Sequence, residues 1–469
     1  MTALQIAFRT NESKYSFLGQ TRLINAYAEK QDKDAKGPLA VLPCAGMSLF
    51  AAVTDSPCRG TIYLEDTDTA YTIHSTSAYK VTYSGTTATV TRVGVIPGTD
   101  VVQPSRNQAT MPQISVHCDA GEFYIASDVI NTVTDADLPT PVVSQDHLSG
   151  YTIYGLADRR FFLSSLNACQ TIDGTDFATA EQGPDPLVRV KADRGDLFIF
   201  KQRSVEMWRN TGNTDFPLEP TAVTLQKGLA APDAVVSSDN TLMWPGDDNT
   251  IYRLNGATPQ RISDHGIERL LENDASRDAV IGFSHTAEGH SFSSWTGTDW
   301  TRTYDSATGA WHSRESYGID HWRARFPFRA WGKTIVGDEL TGNLYELASG
   351  TFAEGDDPLV WGIDSPILHV FPNGGIVDAL HIDVATGEGT LTGQGSDPKL
   401  MLSWSTDGGA TFKGDRELSL GGYGERTARV TTRRLGRFGP KGIQFRIRIS
   451  DPVIRALVAV DVSVRPLKR

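Results

Sequence analysis

Apolar residues along the chain alternate with polar ones far more often than they recur every three or four positions. That pattern predicts short, half-buried strands and few helices. Tyr71-Thr72-Ile73-His74, Asp196-Leu197-Phe198-Ile199-Phe200 and Asn249-Thr250-Ile251-Tyr252-Arg253-Leu254 are examples. Lys80-Val81-Thr82-Tyr83, then Ser84-Gly85, then residues 86–93 predict a hairpin. One helix is predicted around Ile267 to Leu271, with Asp264 placed to cap it. The most apolar stretch, residues 456–464, is broken by Asp461 and predicts a strand. No run of 18 apolar residues exists, so no membrane span is expected.

Strand and turn signals also repeat. Ile251-Tyr252 with Asn255-Gly256, Tyr304-Asp305 with Gly309 and Trp311, and Gly337-Asp338 with Gly342 and Leu344-Tyr345 each join an aromatic strand to a polar, glycine-bearing turn. Tyr252, Tyr304 and Tyr345 lie 52 and 41 residues apart. Periods of about 40–50 residues in an all-β chain predict propeller blades. Residues 41–350 are expected to form a β-propeller of roughly six blades. Residues 351–469 open with an acidic, loop-like stretch and then turn to strands again. They are expected to form an additional C-terminal β-sandwich-like domain. Residues 1–40 are expected to join the propeller or to make an assembly contact.

At 469 residues the chain is too long for one ordinary core, which agrees with this division. The opening Met1-Thr2-Ala3-Leu4-Gln5 lacks a basic region and a long apolar run, so no secretory signal is expected. Cys44, Cys58, Cys118 and Cys169 are 14, 60 and 51 residues apart, which leaves no paired metal or redox motif and predicts buried, reduced thiols. The formal charge of −12 hides an asymmetry. Residues 413–469 hold 14 Lys and Arg against 5 Asp and Glu, a net of +9, while the remaining residues hold 30 against 51, a net of −21. A body so acidic repels nucleic acid from most of its surface.

The search for chemistry returns little. There is no phosphate-cradling glycine motif; Gly439-Pro440-Lys441-Gly442 reads as a structural turn, with Lys441 only a weak candidate for an anion contact. His285 and His290, and His312 and His321, lack the spacing of a metal site. Asp66-Thr67-Asp68 and Asp356-Asp357 lack the glycine and glutamate of a calcium loop. No catalytic, cofactor-binding or metal-binding residue is assigned, and no cofactor is expected. The rival readings are a sialidase-like propeller glycosidase and a glycan-binding adhesin. The first requires paired carboxylates and an arginine cluster, for which Arg59, Arg160 and Arg261 are candidates in different blades.

Two features of the C-terminal portion stand out. Ser405, Asp407, Gly409 and Phe412 match an Asp-box, in which the carboxylate satisfies turn amides and the aromatic packs inward. Arg426, Arg429, Arg433, Arg434, Arg437 and Lys441 lie within 16 residues, followed by Arg446, Arg448 and Arg455. Arg446 and Arg448 alternate with Phe445, Ile447 and Ile449, so they are expected on the solvent face of a half-buried strand. Such a basic face either blunts edge pairing or meets an acidic protein; direct DNA contact ranks third.

A run of local motifs then carries a resemblance. Leu23-Ile24-Asn25-Ala26-Tyr27-Ala28-Glu29 and Arg59-Gly60 come first; Arg160-Phe161-Phe162-Leu163-Ser164, Asp176 to Glu181 and Pro184-Asp185 follow. Val205-Glu206-Met207-Trp208, Thr211-Gly212, Arg261-Ile262-Ser263, Gly266-Ile267-Glu268, Gly289-His290 and Trp311-His312-Ser313-Arg314-Glu315-Ser316 continue it. In this order they resemble the tail-hub proteins of short-tailed bacteriophages, also called packaged-DNA stabilisation proteins, tail nozzle proteins or tubular tail protein B. Asp451-Pro452 also fits, whereas Pro43-Cys44-Ala45-Gly46 departs from the family's direct Pro-Gly.

The resemblance covers roughly residues 20–350 and implies a non-enzymatic virion protein, made in the host cytoplasm. It implies a homohexameric ring below the portal and its adaptor (head-to-tail connector) ring, with tail fibres or tailspikes as further partners. Packaged DNA would pass through the channel without sequence-specific binding. The charge division suits that role, because an acidic wall lets a duplex slide where a basic wall would hold each phosphate.

Overall fold

A computed structural model describes residues 2–3, 7–35 and 37–467. Met1 and residues 4–6, part of the opening on which the reading of no secretory signal rests, lie outside the described residues. Among the described residues no helix is long and apolar enough to cross a membrane.

The alternating pattern resolves into four-stranded antiparallel meanders arranged in a ring. Six are contiguous in sequence, starting at Cys58, Ser105, Val142, Leu187, Val236 and Ile281. The seventh consists of Ala324–Ala330, Lys333–Asp338 and Leu344–Ala348, with Gly46–Ala51 as its outer strand. The ring therefore has seven blades rather than roughly six. The turn motifs visible in sequence are 52 and 41 residues apart, but successive blades start 37 to 49 residues apart, so one more fits. The last blade also borrows its fourth strand from residues far upstream, which hydrogen-bonds the two ends of the ring together.

Each blade buries its alternate apolar residues against its neighbours. Phe161, Ile153, Leu163, Val190, Leu197 and Ile199 fill the space between the third and fourth blades. Trp295, Trp300 and Trp311 pack with Ile267 and Leu271 of the helix His265–Asn273 between the fifth and sixth. Asp264 caps that helix, accepting from the Gly266 and Ile267 amides at 2.9 and 3.1 Å. The repeated turns have a shared lock. Asp305 accepts from the Ala307 amide at 2.9 Å and the Thr308 hydroxyl at 2.6 Å; Asp338 accepts from the Thr341 amide at 2.9 Å and its hydroxyl.

The second body is a two-sheet sandwich. One sheet runs Ala26–Lys30, Leu39–Pro43, Leu457–Pro466, Gly375–Val384, Val430–Phe438. The other runs Arg22–Ile24, Trp361–Asp364, Gln444–Ile449, Lys399–Ser405, Lys413–Ser419. Trp361, Leu402, Phe445 and Ile447 from one sheet pack on Val41, Val377, Leu380 and Val462 from the other. The N-terminal segment thus supplies strands to the sandwich, and it also touches the propeller: Ile24 pairs in parallel with Ser313 of the sixth blade.

Asn25 makes that junction possible. Its φ of 50° turns the chain from one sandwich sheet to the other, a conformation asparagine tolerates better than most residues. Its side-chain amide donates to the Glu315 carbonyl at 2.8 Å and the Val360 carbonyl at 2.9 Å. Two residues on, Tyr27 packs edge-on against His290 and Phe292 of the sixth blade. The two bodies therefore share a continuous sheet and a packed seam.

Candidate functional site

The basic residues of the C-terminal portion separate into two groups. Asp364, buried on the strand Trp361–Asp364, faces Arg446 and Arg448 across the ladder. Arg446 donates to both of its oxygens, at 3.0 and 2.9 Å, and Arg448 Nη2 reaches Oδ1 at 2.8 Å. Burial opposes ionisation of Asp364, but the Arg448 and Arg446 guanidiniums outweigh it and hold the carboxyl below the usual range. These two arginines, expected on a solvent face, are only partly exposed and already paired. Arg455 is fully buried and donates to the backbone carbonyls of Leu359, Phe352 and Asp451 at the propeller–sandwich boundary.

The other six candidates are exposed. Arg426 lies 3.8 Å from Glu388; among the described residues, Arg429, Arg433, Arg434, Arg437 and Lys441 make no ion pair. Arg433, Arg434 and Arg437 belong to Val430–Phe438, the edge strand of its sheet. Two carbonyls of that edge are taken: Arg416, on the edge strand of the facing sheet, donates to the Arg433 carbonyl at 2.7 Å and the Arg434 carbonyl at 3.1 Å. This clasp hinders strand addition and leaves the guanidiniums as the accessible feature.

The Asp-box residues converge on one turn. Ser405 Oγ donates to Asp407 at 2.6 Å and accepts from the Gly409 amide at 2.9 Å. Asp407 accepts from the Ala410 and Thr411 amides at 3.0 and 3.1 Å and from the Thr411 hydroxyl at 2.6 Å. The Ser405 and Thr411 hydroxyls hold its carboxyl far below the usual range. Phe412 does not enter the core: it is half-buried, under the Arg446 guanidinium at 3.6 Å.

The remaining candidates are engaged locally. Arg59 is buried and donates to the Asp100 and Ser75 carbonyls, each at 2.7 Å; Arg160 pairs with Asp158, and Arg261 with Glu268. The three do not converge, so the arginine cluster a sialidase-like site needs is not formed by them. His285 and His312 are buried, and burial drives both rings toward the neutral form, His285 down to about 3. His290 contacts Asp305 at 2.8 Å, and His321 contacts Glu339 at 2.8 Å. All four cysteines are buried free thiols, and burial pushes Cys58 up to about 12 and Cys169 up to about 11.

Side chains from or just before the inner strands of several blades meet near the propeller axis. Arg189 donates to Asp233 at 3.1 Å and to Gln103, and Gln145 donates to the Gln103 carbonyl at 3.0 Å. Burial raises the Asp233 carboxyl's pKa while Arg189 opposes the shift. Cavities of about 240 and 190 Å³ lie along the axis, and Arg189 lines both.

A family description for the β-propeller of bacteriophage P22 Gp10 matches residues 12–352, and one for the β-sandwich of the same protein matches residues 360–465. The chain belongs to the Gp10 family. Gp10-family proteins are structural tail proteins of short-tailed phages that stabilise packaged DNA, so this chain is a virion component. Both Gp10 bodies are present here, joined through Asn25. Among curated proteins, no sequence matches. Solved structures similar to the chain include the designed Ika8 protein (10% identity, 64% of this chain and 99% of that one, TM-score 0.40). The WD40 β-propeller domain of Doa1 shows 11% identity over 64% of this chain and 96% of that one, with a TM-score of 0.42. BamB from Moraxella catarrhalis shows 9% identity over 69% and 97%, with a TM-score of 0.39.

Sequence reasoning missed three parts of this surface. Asp364 was not singled out because nothing in its local sequence marks it as facing Arg446, 82 residues away. Arg416 reads as an ordinary strand cation until the two sheet edges meet. The loop Tyr15 to Leu18 has no periodicity; its signal was two apolar residues, Phe17-Leu18, directly before Gly19 in an otherwise polar run.

Proposed function

We propose that the chain is a subunit of a ring-shaped tail nozzle or hub, a homohexamer below the portal and its adaptor ring. In this role it retains packaged DNA and forms the passage through which DNA leaves. The observation that carries this reading is the division of charge: net +9 in residues 413–469 against −21 elsewhere, with Arg433, Arg434 and Arg437 exposed along one sandwich edge strand. An acidic wall repels phosphates and lets a duplex slide, whereas a basic wall binds each phosphate with release of counterions and so slows passage.

The axial cavities, of about 240 and 190 Å³, are too small to pass a duplex, which supports passage between subunits over passage along one propeller's axis. The exposed basic edge then docks a protein, either the adaptor or a neighbouring subunit, and tail fibres or tailspikes attach elsewhere. The test is to change Arg433, Arg434 and Arg437 together to Glu in the phage. The expected outcome is folded protein and particles that fail to complete tails and lose their DNA. Infectious, DNA-retaining particles would refute the docking role.

A further inference from the structure

Residues 12–20 form a loop that is braced in place yet apolar on its outer side. Tyr15, Phe17 and Leu18 are 53%, 59% and 62% exposed, and the Tyr15 and Phe17 rings stack at 5.7 Å. The bracing comes from within the loop and from the sandwich. Ser13 Oγ donates to the Gly19 carbonyl at 2.6 Å, and Gln444 Nε2 donates to the Gln20 carbonyl at 2.7 Å. Phe17 sits on Gly408 of the Asp-box turn so closely that a Cβ there would lie 3.0 Å from the Phe17 Cα. The Asp-box thus presents a platform for this loop.

Between the loop and the sandwich runs a groove of about 630 Å³, lined by Phe17, Leu18, Pro366, Ile367, His369 and Lys441 among others. A braced loop that leaves bulky apolar groups in water marks an interaction surface. Charge narrows the occupant. The carboxylates around the groove are already engaged: Glu12 by Arg302, Asp407 by its own turn, and Asp364 by Arg446 and Arg448. Lys14 lies over the Tyr15 ring, and neither it nor Lys441 has a carboxylate partner among the described residues. At Lys441 the groove lies three residues beyond the free-arginine strand Val430–Phe438.

We infer that this groove receives a segment of another protein of the particle, in which a bulky apolar side chain is flanked by carboxylates. The inference rests on the tail reading above. It is tested by placing the photo-crosslinker p-benzoylphenylalanine at Leu18 and, as an exposed control on the propeller, at Tyr317, then irradiating assembled particles and sequencing the adducts. The expected result is a Leu18 adduct on a different protein, at an apolar residue with Asp or Glu on both sides. Lys14→Glu with Lys441→Glu should lower its yield about tenfold, and Lys441→Arg alone should keep it. The chain's absence from particles would refute the tail reading, and this inference with it. With the chain present, any of four results overturns the inference alone: no Leu18-specific adduct, an adduct to a second copy, an adduct on a segment without carboxylates, or a yield indifferent to Lys14→Glu with Lys441→Glu.

Discussion

In the propeller, Arg59, Arg189, Arg302, Arg314 and Arg323 are buried, and each donates to a carboxylate or a carbonyl. On the sandwich edge, Arg433, Arg434 and Arg437 are exposed, and their side chains have no such acceptor among the described residues. A buried guanidinium without partners is too costly to keep, so the first set is dictated by the fold. The second set has no such contact to hold it within the fold, and the docking role proposed above draws on its concentration on one strand. Arg446 and Arg448 lie close to the second set in sequence but behave like the first. The boundary between structural and functional charge therefore follows spatial neighbours and not the domain.

The largest effect expected from this contrast is at Asp364. Asp364→Ala leaves Arg446 and Arg448 side by side without a carboxylate, and should destabilise the protein by about 3–5 kcal/mol in urea unfolding. A loss below about 1 kcal/mol would place Arg446 and Arg448 with the free set.

Next comes acid. His74, His285 and His312 are buried, and burial lowers their pKa values, His74 to about 4 and His285 to about 3. Neither ring nitrogen of His74 has a hydrogen-bond partner among the described residues. Because the folded values lie below the unfolded value of about 6.5, the unfolded chain binds more protons between them. This contribution is fully present above pH 6.5 and is lost as pH falls from there toward the folded values, at about 1 kcal/mol per histidine per pH unit below pH 6. Stability measured from pH 7 to pH 5 should fall accordingly, and His74→Leu should reduce the slope by about one proton.

A smaller effect is expected at Asp407. Asp407→Ala removes the acceptor of the Ala410 and Thr411 amides and should cost about 1 kcal/mol, with hydrogen exchange accelerating at those two amides. The smallest is at the edge strand: Arg433→Glu, Arg434→Glu and Arg437→Glu should each change stability by less than about 0.5 kcal/mol. A large destabilisation there would make the edge arginines structural and remove the charge argument for docking.

The strand pattern and the turn repeats made the architecture legible, since period-two alternation and Asp–Thr–Gly turns such as Asp305, Thr308, Gly309 act locally. The seventh blade was hidden because its closing strand, Gly46–Ala51, pairs with Leu344–Ala348 across almost the whole propeller. The Asn25-x-Tyr27-x-Glu29 motif was visible, but its purpose was not. Asn25 and Tyr27 act at a seam between bodies, and their partners Glu315, Val360 and His290 are far away in sequence. The Phe412 environment was misread for the same reason, because its neighbour Arg446 arrives from another strand.

The most direct test of the central claim, that the acidic body borders the DNA path while the basic sandwich edge docks a protein, is cryo-electron microscopy of intact particles. The account predicts a sixfold ring of this chain beneath the portal, DNA density ending within or above it, and Arg433, Arg434 and Arg437 against another polypeptide. Absence of the chain from the ring, or the basic edge facing the DNA, would contradict it.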